Sequence, residues 1–254
     1  MRRVQLEPAF VLSLRPYRET SALVEVFTQR HGRTGLVARG VQSGRARLRG
    51  LLQPFQRLLL SFSERGELGT LTGAEAGGAP ATLRGEAVFS GWYLNELLLR
   101  LLPRGEPHAD LFDQYAEALA ALAGANAAPA LRLFEKRLLA GLGYGLELPD
   151  PVENDRWYAW DAERGLRLAE PGPSSYSGAS LRALADDALE TEESLRDARR
   201  LMRAAIAPHL GGRALRTAEL LRALRKGVRG WGLGIREETA RRFISFPQPL
   251  TPNP

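Results

Sequence analysis

The chain contains no cysteine, which removes disulfides, thiolate nucleophiles and every cysteine-based zinc or iron-sulfur site from consideration. Histidine is nearly as scarce. His31, His108 and His209 are scattered, and none belongs to an H-x-x-x-H or H-E-x-x-H pattern, so core or surface histidines are the plainer reading and no metal is expected. Lysine occurs only at 136 and 226 against 33 arginines, a bias as consistent with codon usage as with function. Long hydrophobic runs are missing too: residues 118–131, the longest uncharged apolar stretch, are Ala-rich and include Asn126 and Pro129. "FVLSL" near the N-terminus is too short for a signal-peptide core and is interrupted by Arg15, so a cytoplasmic protein with no membrane attachment is expected.

The most informative absence is that of carboxylates in one segment. From Val26 to Ser63 there is no Asp or Glu, while Arg30, Arg33, Arg39, Arg45, Arg47, Arg49 and Arg57 all lie there. Residues 1–63 carry eleven arginines against Glu7, Glu19 and Glu25, a balance of +8, so the remaining residues sum to −2 against the whole-chain +6. Such a segment attracts polyanions.

What is present divides by periodicity. Up to about Glu75 the pattern is of short strands punctuated by glycine, predicted at 10–14, 22–28, 34–41, 55–63 and 66–72. Five strands fit a small closed barrel. Leu58, Leu60 and Phe62 alternate with Arg57, Leu59 and Ser61, which turns one face of the fourth strand to a core; "SERGEL" reads as the hairpin turn after it. Beyond "GAEAGGAPA" the period becomes helical. Leu94, Leu97, Leu98, Leu101 and Leu102 form one stripe, and Leu111, Tyr115, Leu119 and Leu122 a second. The third helix has Pro129 in its first turn and Leu131, Phe134 or Glu135, Leu138 and Leu142 in register. "WYAWDAERGLRLA", bracketed by prolines, reads as a small hairpin. A further helix follows Thr191 and is ended or kinked by Pro208, and Thr217 is expected to cap a last short one. This gives an α+β protein: an N-terminal five-stranded barrel at 1–80, a helical domain at 81–147 and 179–245, a small insert at 148–178, and a Pro-rich tail at 246–254.

No catalytic residues are assigned. Nothing matches a phosphate-binding P-loop, a G-x-S-x-G nucleophile turn or an EF-hand loop. "GLGYG" at 141–145 and "GWGLG" at 230–234 are read as turns or caps, and the adjacent pairs Asp186, Asp187 and Glu192, Glu193 as solvated helix faces. The basic stretch needs no special partner geometry, because guanidinium groups release counterions from phosphates, and Gly40, Gly44 and Gly50 let a loop follow a backbone. Its place between the third and fourth strands of a barrel suits an oligonucleotide-binding fold. Phe27, Phe55 and Phe62 are read as core in preference to stacking platforms.

Four segments in order, "RPYRETSALVEVFTQRHGRTGLVARGVQ", "LLQPFQRLLLSF", "ALRLFEKRLLAGLGYGLEL" and "HLGGRALRTAELLRAL", resemble the bacterial recombination mediator family RecO over nearly the whole length. The resemblance implies an oligonucleotide-binding (OB) barrel, a helical domain and an inserted zinc-finger-like module. It also implies a non-enzymatic role, in which the protein binds single- and double-stranded DNA, anneals complementary strands and, with RecR, helps RecA replace single-stranded-DNA-binding protein. Many members carry four zinc-binding cysteines near the positions of "LPDPVEN" and "AEPGPSS"; here both lack cysteine, and Trp157, Tyr158 and Trp160 are expected to hold the module instead.

On this reading Arg33, Arg39, Arg45, Arg47 and Arg49 contact phosphates, with Arg57 free to point either way. Arg196, Arg199, Arg200 and Arg203 read either as a solvated helix side or as an extension of the DNA path. The family's contact with the acidic tail of single-stranded-DNA-binding protein is placed on the helix around Arg132, Phe134, Lys136 and Arg137, whose apolar face reads equally as core. The competing functions are an RNA-binding barrel without a recombination role and a metal-dependent nuclease, the latter disfavoured by the missing carboxylates.

Overall fold

The computed structural model describes residues 2–42, 46–64, 66–79, 81–124, 126–149, 151–217 and 220. Five strands, β1 (Arg2–Tyr17), β2 (Ser21–Thr28), β3 (Gly32–Ala38), β4 (Arg57–Glu64) and β5 (Gly69–Ala76), close into a barrel in the order β1-β2-β3-β5-β4. All pairings are antiparallel except β3 with β5, where Leu36 faces Gly69. The expected alternation on β4 holds: Leu58, Leu60 and Phe62 are buried and line the interior with Val11, Val24, Val26 and Leu36. Strand β1 is far longer than its apolar stretch suggested. Register shifts between Val4 and Glu7 and between Val11 and Ser13 let one bent strand pair with both β4 and β2.

The segment expected to be a flexible arginine loop is partly helical: α1 spans Ala46–Leu51 between β3 and β4. Six residues do not sustain a helix by themselves. Leu48, Leu51 and Leu52, at helical spacing, pack against the barrel core, and this burial holds the turn in place.

Five more helices follow among the described residues, with three short strands between the third and fourth of them. They are α2 (Glu86–Leu101), α3 (Ala109–Leu122), α4 (Ala127–Gly141), β6 (Trp157–Asp161), β7 (Gly165–Ala169), β8 (Ser175–Ser177), α5 (Gly178–Ala185) and α6 (Glu192–Ile206), which continues into a 3-10 turn over Ala207–Leu210 containing Pro208. The helical stripes are buried as expected, including Leu94, Leu97, Leu98, Leu111, Tyr115, Leu119 and Leu122. Two compact units result. Among the described residues, the first draws on 2–82, 95–112 and 216, 217 and 220, the second on 83–94 and 113–215.

In the first unit every residue of β2 is buried, because both of its faces are covered. Val24 and Val26 look into the barrel, whereas the Phe27 ring packs on Phe112, as does Phe10 from β1. Asn95 donates its side-chain amide to the Leu12 carbonyl at 3.0 Å. Gly32 is a required glycine: its φ is +63° and a Cβ there would lie 1.8 Å from the Glu106 carbonyl oxygen.

The insert of the second unit is a three-stranded sheet in the order β7-β6-β8. Tyr158, Leu166 and Tyr176 join Leu181, Leu184, Leu189, Ala198 and Leu201 in one core, with Trp160 packed partly against it. Trp157 lies on the opposite face by strand alternation, so Tyr176 takes the place that sequence reasoning had given to Trp157. Thr217 does not cap a helix as expected. The backbone is already helical at Arg216, and the buried Glu96 carboxylate accepts from Arg216 N–H and Thr217 N–H at 2.9 Å each and from the Thr217 hydroxyl at 2.7 Å. Residues 218–219 and 221–254, which include "GWGLG" and the Pro-rich tail, lie outside the described residues.

Candidate nucleic-acid interface

The end of the barrel that follows β3 and precedes β4 carries exposed cations of the carboxylate-free stretch. Arg39 is exposed in the turn directly after β3. On α1, Arg49 is exposed, away from the buried Leu48, Leu51 and Leu52; its carbonyl accepts from the Gln53 side chain at 2.8 Å. Arg47 lies on the same helix, with its side chain outside the described residues, as is all of Arg45. The 39–42 turn is tied to the β1–β2 hairpin, since Gln42 N–H donates to the Thr20 carbonyl and the Gln42 side-chain amide to the Ser21 carbonyl, both at 3.0 Å. Phe27, Phe55 and Phe62 are buried, as core and not as stacking platforms, in line with expectation.

Among the described arginines of the carboxylate-free stretch, two pair with carboxylates on neighbouring strands. Arg30 Nε binds the fully buried Glu7 carboxylate at 2.7 Å. Arg33 departs from its expected role: its side chain is only 15% exposed, its Nε donates to the Leu102 carbonyl at 2.8 Å, and Nη1 lies 3.4 Å from Glu25 Oε2, a carboxylate shared with Arg104. Burial pulls the Arg33 guanidinium below its ordinary value, with Glu25 opposing that shift. Arg33 is therefore an architectural tie, and the phosphate assignment made for it is corrected. Arg57 is half-buried, paired with Phe10 across the strands, and its guanidinium sits 5.8 Å from the Phe112 ring centroid. Its direction is settled: it lies on the outer face of β4, over the aromatic cluster.

In the second unit Arg196, Arg199 and Arg203 are exposed on α6. Arg200 on the same helix is occupied. It binds Asp197 at 3.0 Å and the Ser175 carbonyl at 3.1 Å, also donates to the Pro173 carbonyl, and lies 4.7 Å from the Tyr176 ring centroid. The α4 group is equally engaged. Phe134 is core, its ring 6.0 Å from that of Tyr115; Lys136 donates to the Leu184 carbonyl at 2.8 Å and pairs with Asp187; and Arg137 pairs with Asp187 at 3.1 Å and Glu117 at 3.3 Å. Phe134 therefore lines no groove, which corrects that part of the partner-site expectation.

Arg132 pairs at 2.9 Å with Glu135, a fully buried carboxyl. Tyr93 also donates to Glu135, whose Oε2 has no hydrogen-bond partner. Burial pushes Glu135 above the usual carboxylate range, with Arg132 the strongest opposing influence. Burial first and Glu135 second hold the Tyr93 phenol well above its ordinary value, so the phenol remains the donor.

The insert does not fit zinc. Its two turns offer no thiolate, and among the described residues no cluster of three or more His, Cys, Asp or Glu forms. Two arginines hold those turns in place. Arg182 reaches the Val152 carbonyl and binds Asn154 Oδ1 at 2.9 Å, while Arg200 fixes the Pro173 to Ser175 segment. The Tyr158 hydroxyl accepts from Glu153 N–H at 3.1 Å. Among the described residues no helix is long and apolar enough to cross a membrane.

Comparison with known proteins agrees with this architecture. The "Recombination protein O N terminal" family model matches residues 1–78 and the "Recombination protein O C terminal" model residues 84–219. The chain is 50% identical over 234 residues to the DNA repair protein RecO of Nitrosococcus oceani, covering 88% of this chain and 95% of the relative. It is 45% identical over 228 residues to that of Methylococcus capsulatus, covering 87% and 94%, and 43% identical over 239 residues to that of Xanthomonas campestris pv. campestris, covering 89% and 99%. With both family models in order along one chain, and a closed five-stranded barrel under the first, the protein belongs to the RecO family of DNA repair and recombination proteins.

Proposed function

We propose that this protein binds single- and double-stranded DNA, anneals complementary strands and, together with RecR, assists RecA in displacing single-stranded-DNA-binding protein, acting at the nucleoid without catalysing a covalent step. The observation that carries this reading is the exposed pair Arg39 and Arg49 at the barrel end that follows β3, with Arg47 on the same short helix as Arg49, whereas Arg30 and Arg33, toward the β2–β3 turn, pair with Glu7 and Glu25. Annealing brings two polyanions together, and their mutual repulsion is relieved when cations screen the phosphates. A barrel with arginines at one end supplies that screening without a nucleophile, a general base or a metal. Exposed Arg196 and Arg199 on α6 are proposed as further phosphate contacts, while Arg200 serves the insert. Arg132, Lys136 and Arg137 are each paired with a carboxylate of the fold, so α4 is not carried forward as the seat of a protein partner's acidic tail.

The test is annealing of complementary oligonucleotides coated with single-stranded-DNA-binding protein, by wild type and an Arg39→Ala, Arg47→Ala, Arg49→Ala triple variant. Removing three phosphate contacts is expected to slow annealing by about tenfold or more at 100 mM salt. Unchanged annealing in a folded triple variant would remove the arginine assignment. Preference for an RNA competitor over DNA of the same sequence would favour an RNA-binding barrel instead.

A further inference from the structure

The β1–β2 hairpin turns over Arg18, Glu19 and Thr20, between the paired Tyr17 and Ser21. Arg18 has a φ of 55°, in the left-handed region that residues other than glycine seldom adopt, and such conformations concentrate at binding sites. Its guanidinium carbon stands 5.2 Å from the Tyr17 ring centroid. Arg18 is exposed and Tyr17 half-buried. The tip is held in place by the two Gln42 hydrogen bonds to Thr20 and Ser21. Because Ala22 pairs with Ala38, Ser21 and Arg39 follow directly on that pair. The hairpin tip and the Arg39 turn therefore form one edge of the barrel. The carboxylates at this edge are Glu19 in the tip and Glu75 on β5, both exposed, against exposed Arg18, Arg39 and Arg49.

We infer that Tyr17 is a stacking seat for one unpaired base of a single DNA strand, and that Arg18, which covers the ring, gives way to the base and moves onto the adjoining phosphate. The inference rests on the DNA-binding reading above and adds to it a means of telling unpaired from paired strands. An exposed cation over a phenol ring contributes only about two- to fivefold to an equilibrium. A base stacked on an aromatic ring contributes about five- to a hundredfold. The exchange therefore runs toward the base, and the displaced guanidinium gains a phosphate. A duplex keeps its bases stacked on one another and presents phosphates alone, so it engages the arginines and leaves Tyr17 idle.

The experiment measures affinity for a single-stranded oligonucleotide and for a duplex of the same length, at one salt concentration. Tyr17→Ala is expected to weaken single-strand binding about tenfold and duplex binding by less than about twofold. Tyr17→Phe, which keeps the ring, should match wild type on both. A strand carrying 2-aminopurine should change fluorescence on binding to wild type and the Phe variant but not to the Ala variant. Arg18→Ala should shorten the single-strand salt slope by about 0.7, one phosphate's worth. Should Tyr17→Ala melt early, Tyr17→Leu keeps the apolar bulk without the π face and carries the same expectation. Equal loss on both substrates, or loss on neither, overturns the stacking seat. If Arg39→Ala with Arg49→Ala weakens both substrates while the Tyr17 variants do nothing, only the stacking seat falls. If those arginine variants also leave both affinities unchanged, the wider DNA-binding reading falls with it.

Discussion

At the scale of single residues, the arginines of the basic stretch separate by what each one touches. Arg33 donates to the Leu102 carbonyl and faces Glu25, so Arg33→Ala is expected to cost about 2 kcal/mol of stability, the usual range for a charge-assisted hydrogen bond, and to leave DNA affinity within about twofold. Urea unfolding and a binding titration of the same preparation check both halves. Glu135 gives a pH-dependent counterpart. Its carboxyl is raised in the folded state, chiefly by burial, so its contribution is present in full below the ordinary glutamate value and is lost as pH rises through the raised one. The stability difference between wild type and Glu135→Gln, followed by denaturant unfolding, should shrink steadily as pH is raised above about 4.5. A difference that is flat or grows with pH would contradict the upward shift. Neither residue was legible as such in the sequence. Arg33 meets Glu25 only once β2 and β3 pair and Leu102 is brought alongside, and Glu135 shared a helical stripe with Phe134 without revealing which of the two was buried; both are.

At the scale of elements, local signals worked where one face is buried along a regular period. The strand alternation in Leu58, Leu60 and Phe62 and the stripes of α2 and α3 needed no tertiary knowledge. The start of α6 was equally readable. Thr191 accepts from Ser194 N–H at 3.1 Å while the Ser194 hydroxyl accepts from Thr191 N–H at 3.2 Å, a reciprocal cap. Thr191→Ala should lower stability by about 1 kcal/mol, visible as a lower urea midpoint with an unchanged slope. Helix α1 was missed because it exists by docking: a six-residue, arginine- and glycine-containing turn has no stability of its own until Leu48, Leu51 and Leu52 find the barrel. The segment after Gly212 was misread for a similar reason. Its first helical N–H groups are satisfied by Glu96, about 120 residues earlier, and not by a local cap.

At the scale of the whole molecule, the +8 balance of residues 1–63, which already sets Glu7 and Glu25 against the arginines they pair with, remains the guide to polyanion binding. Neutralising about four phosphates on a duplex predicts that log K falls with log salt at a slope of roughly −3.6. Titrations between 50 and 200 mM salt measure this, and an affinity indifferent to salt would mean that the exposed arginines do not meet phosphates. The insert is tied down by Arg182 and Arg200 reaching backbone carbonyls and by the Tyr158 and Tyr176 core.

The sequence by itself determined the order of barrel, helices and insert, the burial of the periodic positions, the lack of thiolate metal chemistry and the excess of cations in the first segment. Each of these follows from composition or from a period shorter than one element. Only the tertiary structure decided which cations are free to meet a partner. Charge is counted along a chain, but its neutralisation happens through space, and Glu7, Glu25 and Asp187 reach their arginines or lysine from other elements of the fold.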